Sequence, residues 1–338
     1  MGLFVLATGL LLLSLALNAL LILRFVYTSG RFRPAIQAIS IVTVAMLLGV
    51  YMMELVSRTW IQSDGFIETL SGQAWMEKYF HPINSLGFRD IEHDDPKETG
   101  RRLVLVVGDS FVAGHGIRNY RDRFANVLGK SLGSEWDVAI AAQGGYNTAQ
   151  EAVVLGRYPF TPKVIVLSYF INDIDGAVAE SGRRLDIRPN PPAPWARRFI
   201  DRSFLINALY WRWVRGQASM QRTYWDLVTY GFTDPSVWQL HTRQLQTIVD
   251  YARARDIALI AVVFPHLVLM EESAPFTGKV RDYLTAQGVP VVDMYPQLHG
   301  RSWRSLVVNP LDTHPNEQVN TETASLLLDA FRKRGLLD

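Results

Sequence analysis

Two long uncharged apolar runs stand at the front of the chain, and shorter apolar runs separated by helical periodicities fill its second half. From Leu3 to Leu23, and again from Ala35 to Met53, no residue is charged. Each run is about 20 residues, the length that crosses a hydrocarbon core of roughly 30 Å. They predict a transmembrane hairpin over residues 1–58, with helices at about 3–26 and 35–57. A buried core helix is the poorer reading, because neither run has a polar face. The first run also exceeds the roughly 7–15 apolar residues of a cleaved secretory signal, and no basic residue precedes it.

Arg24, Arg31 and Arg33 bracket the short connection between the runs, while the start of the chain has no basic residue. Basic connections favour the cytoplasmic side. The expectation is therefore a two-pass protein of the cytoplasmic (inner) membrane, with everything after about residue 58 on the extracytoplasmic, periplasmic side. Glu54 and Arg58 fall at the end of the second run, where long charged side chains reach the headgroups.

Residues 59–100 are polar with scattered aromatic residues and end in the charged cluster Glu92-His93-Asp94-Asp95-Pro96-Lys97-Glu98, so they predict a linker and lead-in. Beyond them the period changes. Apolar runs of strand length occur at Leu103–Val107, Trp136–Ala141, Val164–Tyr169, Ile257–Phe264 and Val289–Val292. Between them, Arg123–Leu132, Gln239–Arg255 and Thr321–Arg334 carry apolar residues at helical spacing. Alternation of this kind predicts a doubly wound α/β domain with a mainly parallel sheet over 101–338. Ligands of such sheets bind beyond the carboxyl ends of the strands, where the polar motifs of this chain fall.

Composition adds exclusions. Of 34 basic and 32 acidic residues, four arginines and one glutamate lie in the first 59 positions, which leaves 30 basic and 31 acidic residues beyond them. That balance gives no nucleic-acid footprint. With no cysteine, disulfides, thiolate metal sites and a cysteine nucleophile are excluded.

The candidate chemistry begins at Gly108-Asp109-Ser110, where the first predicted strand delivers a serine onto a turn. A serine hydroxyl is a weak nucleophile until a base takes its proton; the alternative is that Ser110 caps the following helix. Far downstream, Asp312-Thr313-His314 places a carboxylate two residues before a histidine, a pair able to orient and charge-stabilise a general base. The other six histidines lack this pattern, although His115 lies near the serine in sequence and His266 follows a predicted strand end. Oxyanion donors could come from Gly144-Gly145 after the second strand and from Asn172 after the third. Either could instead be plain turn chemistry, the more so Gly144-Gly145 taken alone.

With these four blocks in order at successive strand ends, residues 101–335 resemble the SGNH, or GDSL-type, hydrolase superfamily, and Phe80–Asp90 looks like the lead-in of membrane-anchored members. The resemblance implies the flavodoxin-like SGNH hydrolase fold and a serine hydrolase acting on esters. It implies Ser110 as nucleophile and backbone oxyanion donor, Gly145 and Asn172 as the other donors, and His314 with Asp312 completing a triad. No cofactor and no metal are implied. Two departures stand out: Phe170 occupies the usual glycine of the third block, and Ile140 an asparagine position of the second, which leaves open whether Gly144 or Gly145 is the donor.

An insertion at about 176–238 carries Arg183-Arg184, Arg197-Arg198 and the tryptophans Trp195, Trp211, Trp213 and Trp225. It suits a membrane-interface segment, an apolar lid, or a helical subdomain packed on the sheet. The function expected is a membrane-tethered esterase working through an acyl-enzyme on a lipid or an acylated cell-surface glycan. Its expected partners are the ester substrate, the lipid bilayer and a membrane acyltransferase or export partner. The alternatives are an O-acyltransferase and a non-catalytic assembly or binding protein that keeps the fold.

Overall fold

The computed structural model describes residues 18–20, 24, 33–65, 68–183 and 192–337. The chain forms two compact units: residues 1–61, 69–71 and 190–214 make one, and residues 62–68, 72–189 and 215–338 make the other.

The larger unit is built on a five-stranded parallel sheet of β1 (Arg102–Gly108), β2 (Trp136–Ala142), β3 (Val164–Tyr169), β4 (Ala258–Val263) and β5 (Val291–Asp293), in the order β2-β1-β3-β4-β5. This is a doubly wound sheet whose strand order reverses between β1 and β3, and ligands bind outside the strand ends at such a point. Four strands fall where the apolar runs predict them. The fifth begins two residues late, because Pro290 accepts from the Ala261 amide at 2.9 Å but has no N–H to give to the ladder.

Both faces of the sheet are buried, as in parallel sheets covered by helices. Along β1, Val104 and Val106 face one core and Leu103, Leu105 and Val107 the other, the period-two alternation of a strand. Two helices, Phe124–Leu132 and Glu317–Lys333, cover the first core. The second lies under Thr148–Arg157, Pro235–Arg253 and Met270–Ala286. Two of the helices start earlier than their apolar period implies because caps precede them. Asp234 accepts from the Ser236 and Val237 amides at 3.0 and 3.2 Å, and Asn316 accepts from Val319 at 3.0 Å. A short antiparallel hairpin, β6 (Val307–Asn309) and β7 (Asp312–Pro315), stands apart from the main sheet.

The lead-in departs from the expectation of a spacer. Helix Leu70–Tyr79 presents Trp75 to the interior, and Trp75, Arg89 and Asp90 are all buried. Arg89 donates to the carbonyls of Gly114, Tyr79 and Ile117 at 2.6, 2.7 and 2.8 Å, with the Phe80 ring centroid 4.8 Å from its guanidinium carbon. It thereby braces the loop that follows Ser110. Asp90 accepts from the Ile140 amide at 2.8 Å, tying the lead-in to β2. Its charged composition is spent on bonds to the domain rather than on solvation, which a composition argument cannot distinguish.

The smaller unit contains the second predicted membrane helix, here α1 (Arg33–Thr59), followed by α2 (Pro194–Ile200) and α3 (Phe204–Arg215), the last of which ends at the boundary with the larger unit. Residues Gln37–Thr59 of α1 are long and apolar enough to cross a membrane. The first predicted helix, residues 3–26, and therefore the hairpin as a whole, lies almost entirely outside the described residues.

His93 bridges the carboxylates of Asp90 and Asp137 at 2.9 and 2.8 Å. Burial pulls its imidazole down, but the two acids outweigh this and raise it to about 9 from an ordinary 6.5. A group raised on folding stabilises fully below its unfolded value, and that stability is lost as the pH rises through the folded one. Thermal unfolding of the wild type should lose stability between about pH 6.5 and 9, and His93→Gln should flatten that slope.

Candidate active site

At the end of β1 the chain turns sharply at Asp109, whose φ and ψ are −101° and −142°. The Asp109 carboxylate accepts from the Phe111 amide at 2.9 Å and so caps the short helix Ser110–Ala113. The cap is the aspartate, not the serine, and Ser110 enters the helix with its hydroxyl available to a partner. That partner comes from β7. Asp312 and His314 are two apart on a strand and project from the same face. The hairpin turn before them is closed by Asn309, which accepts from the Leu311 and Asp312 amides at 2.8 and 3.1 Å.

The three groups form a hydrogen-bonded series. Ser110 Oγ lies 2.9 Å from His314 Nε2, and His314 Nδ1 lies 2.5 Å from Asp312 Oδ1. Asp312 is fully buried, and its other oxygen accepts from the Ser63 hydroxyl. Ser63 is held in turn by its own carbonyl, which accepts from Asn309 at 2.8 Å. Burial alone would raise the Asp312 carboxyl. The facing His314 charge and hydrogen bond, with His115 and Ser63, instead hold it well below the usual carboxylate range. For His314 the balance runs the other way in charge: burial opposes protonation, but Asp312 and, more weakly, Asp109 raise the imidazole above its ordinary 6.5.

Around this series the oxyanion candidates are placed as follows. Gln143–Tyr146 is a turn closed by the Tyr146 amide on the Gln143 carbonyl at 3.1 Å, with Gly145 at the third position and a φ of +79°. Turns with positive φ there call for glycine, and their two central amides are not used by the closing bond. Gly144 lies against Ser110, so a Cβ built on it would stand 3.9 Å from the serine Cβ. Asn172 donates to Asp109 at 3.1 Å from its amide nitrogen, which orients it beside the serine and leaves a second N–H. Phe170, at the position usually held by glycine, has the extended φ and ψ of −128° and 160°, which any residue adopts. It stacks on Phe111 at 4.3 Å between centroids, and Phe111 in turn meets the His314 ring edge at 5.7 Å. The departure therefore supplies an apolar wall beside Asn172.

Beneath the serine, Asp109, Glu151 and Asp173 are buried. Burial, reinforced by repulsion among these acids, pushes the Glu151 and Asp173 carboxyls well above the usual carboxylate range. Of the two unassigned histidines, His266 accepts from the Leu269 amide at 3.0 Å and belongs to a turn. His115 joins the site instead. Its ring centroid lies 4.7 Å from that of His314 and 5.3 Å from that of Trp75, the rings tilted to each other, and burial, with repulsion from His314, lowers it to about 4. His115, Asp312 and His314 offer ligand atoms within 4.8 Å of one another. Two of the three are already bonded to each other through Nδ1, which suits proton transfer more than metal capture.

A serine, an imidazole and a buried carboxylate in series at the switch point of a doubly wound sheet are the groups a serine hydrolase requires. The chain matches the GDSL-like lipase/acylhydrolase family over residues 106–321 and belongs to it; it is an ester-hydrolysing enzyme. Solved structures of similar fold include a carbohydrate acetylesterase family member from Sinorhizobium meliloti, at 17% identity and a TM-score of 0.40, covering 69% of this chain and 98% of that one. Another is a member of the lipolytic protein G-D-S-L family from Veillonella parvula, at 15% identity and a TM-score of 0.42, covering 68% of this chain and 98% of that one. No curated protein matches the chain in sequence.

Gly116, at φ +83°, packs on the carboxylate: a Cβ there would meet Val308 at 2.5 Å and Asp312 Oδ2 at 2.7 Å. Gly116→Ala should lower stability by at least the roughly 1–2 kcal/mol of a left-handed non-glycine residue. It should also shift the His314 ring resonances in an NMR spectrum, which a remote destabilisation would leave in place.

Proposed function

We propose that this protein is a membrane-tethered serine esterase that works through an acyl-enzyme, with its hydrolase domain on the extracytoplasmic side. The reading rests on the 2.9 Å contact from Ser110 Oγ to His314 Nε2, backed by Asp312. Ser110 attacks the ester carbonyl as His314 Nε2 takes its proton. Asp312 holds the imidazole in the accepting tautomer and stabilises the imidazolium. The tetrahedral oxyanion is met by the backbone N–H of Ser110 and of Gly145 and by the second amide hydrogen of Asn172. His314 then protonates the leaving alkoxide, and the acyl group stays on Ser110 Oγ. Water, deprotonated by His314, attacks that acyl carbon, and the acid leaves as the proton returns to Ser110. Tethering is supported by the length and apolarity of Gln37–Thr59; the cytoplasmic placing of the connection before it rests on its arginines.

The substrate class is an acyl ester of a lipid or of a cell-surface glycan. A groove of about 500 Å³, lined by Leu86, Phe88, Tyr146, Val153, Val154 and Tyr158, begins one residue beyond Gly145. Its mostly apolar wall suits an acyl chain.

Activity requires neutral His314, so turnover should rise with pH through a midpoint above the ordinary 6.5, the direction in which Asp312 shifts the imidazole. Ser110→Ala should abolish labelling by a fluorophosphonate. Asp312→Asn should cost about 10⁴-fold in kcat and move the acid limb to lower pH. Wild-type protein that is folded but neither labels nor turns over nitrophenyl esters would reject the reading, and acyl transfer to a glycan in place of acid release would reject hydrolysis.

If the groove receives the acyl chain, Val153→Asp should lower kcat/KM for nitrophenyl octanoate by about tenfold or more while leaving the acetate nearly unchanged. Equal losses on both esters would remove the groove from the site.

A further inference from the structure

We infer that α2 and α3 lie in the headgroup layer of the membrane that α1 crosses, with Trp195, Phe199, Leu209 and Trp213 against anionic lipid. The inference rests on the membrane-tethered reading and adds a second contact to it. Along α1, Ile39, Val42, Met46, Val50 and Met53 are exposed. Charge returns only in its last turns, at Glu54 and Arg58, which mark where the helix leaves hydrocarbon. It is there that α3 is attached. The Glu54 carboxylate accepts from Ser203 Oγ at 2.8 Å and from the Phe204 and Leu205 amides at 3.0 and 2.9 Å, capping α3. Arg58 donates to Glu54 at 2.7 Å and to the Arg202 carbonyl at 2.9 Å, with its guanidinium 5.2 Å from the Phe204 ring centroid.

The two helices are locked together as well. Asn207, buried on α3, donates to the Ile200 carbonyl at the end of α2 at 3.2 Å and accepts from the Leu70 amide at 2.9 Å. A segment fixed to the last turns of a spanning helix through four side-chain hydrogen bonds shares its depth.

The faces of these helices are the reverse of those on a water-facing surface. Inward positions include Ile200, Asn207 and Val214. Outward stand Trp195 and Phe199, four apart on α2, and Ile206, Leu209 and Trp213, at helical spacing on α3; Trp195 is 77% exposed and Trp213 65%. An apolar stripe facing out is what an interfacial helix presents, and tryptophan is the side chain most enriched at that level. Arg197, Arg198, Arg202 and Arg212 are exposed around the stripe, against the single acid Asp201. That sign matches phosphate headgroups.

The chain has no cysteine, so single cysteines can be labelled without altering anything else. Full-length Trp195→Cys, Leu209→Cys, Trp213→Cys, Met46→Cys and Lys130→Cys, each carrying a nitroxide, would be reconstituted in vesicles of phosphatidylcholine and phosphatidylglycerol. Unfolding temperatures near that of the parent would show each variant folded. Collision with oxygen relative to a water-soluble nickel chelate reports depth. Labels at 195, 209 and 213 should give a ratio several-fold above that at 130 and below that at 46. If 46 reads as lipid and the three read as water, the inference fails and the tether stands; if 46 also reads as water, both fail. Low access to both reagents with spin broadening between copies would put a second copy on this face, and would also overturn the inference.

Discussion

A carboxylate sealed from water costs several kcal/mol unless charge and hydrogen bonds replace its hydration, and Asp312 is such a group. Its replacement partners come from three distant parts of the chain: His314 on its own strand, Ser63 before the domain's first strand, and His115 in the loop after Ser110. Gly116 closes over it because no larger residue fits. The orientation of the imidazole, and with it the 2.9 Å contact to Ser110, depends on this one charge being held still. Losing any partner leaves a buried anion seeking a new one, and the nearest is the histidine whose proton inventory matters most.

The lead-in follows from the same constraint. A domain beginning at Arg102 would leave one Asp312 oxygen without the Ser63 hydroxyl. It would also leave the carbonyls of Gly114 and Ile117 without the Arg89 guanidinium. Residues 62–68 and 72–100 are therefore as much a part of the hydrolytic unit as the sheet is. Trp75 extends the effect by packing its ring against His115, which packs against His314, so that a chain of aromatic contacts runs from the lead-in to the base.

What was legible in the sequence was what is local. Strands buried on both faces must be apolar runs, and four of five were placed to within a residue at either end; the fifth was displaced by Pro290, whose missing donor is a one-residue effect. Ser110, Asp312 and His314 could be read because a strand end and an i, i+2 spacing carry their geometry. Ser63, Arg89 and His115 could not, since their partners lie 249, 25 and about 200 residues away and the surrounding composition is polar. Whether Ser110 or Asp109 capped the helix was equally closed to the sequence, because both residue types cap and only the Phe111 amide decides between them.

Phe170 shows how a departure from a family pattern can be absorbed. Glycine is needed where φ is positive, and Phe170 is extended. Freed of that demand, the site carries a ring that stacks on Phe111, which in turn lies edge-on to His314. An apolar wall beside the imidazole lowers the local dielectric and strengthens its attraction to Asp312. The substitution thus acts, through Phe111, on the same buried charge as Ser63 and His115.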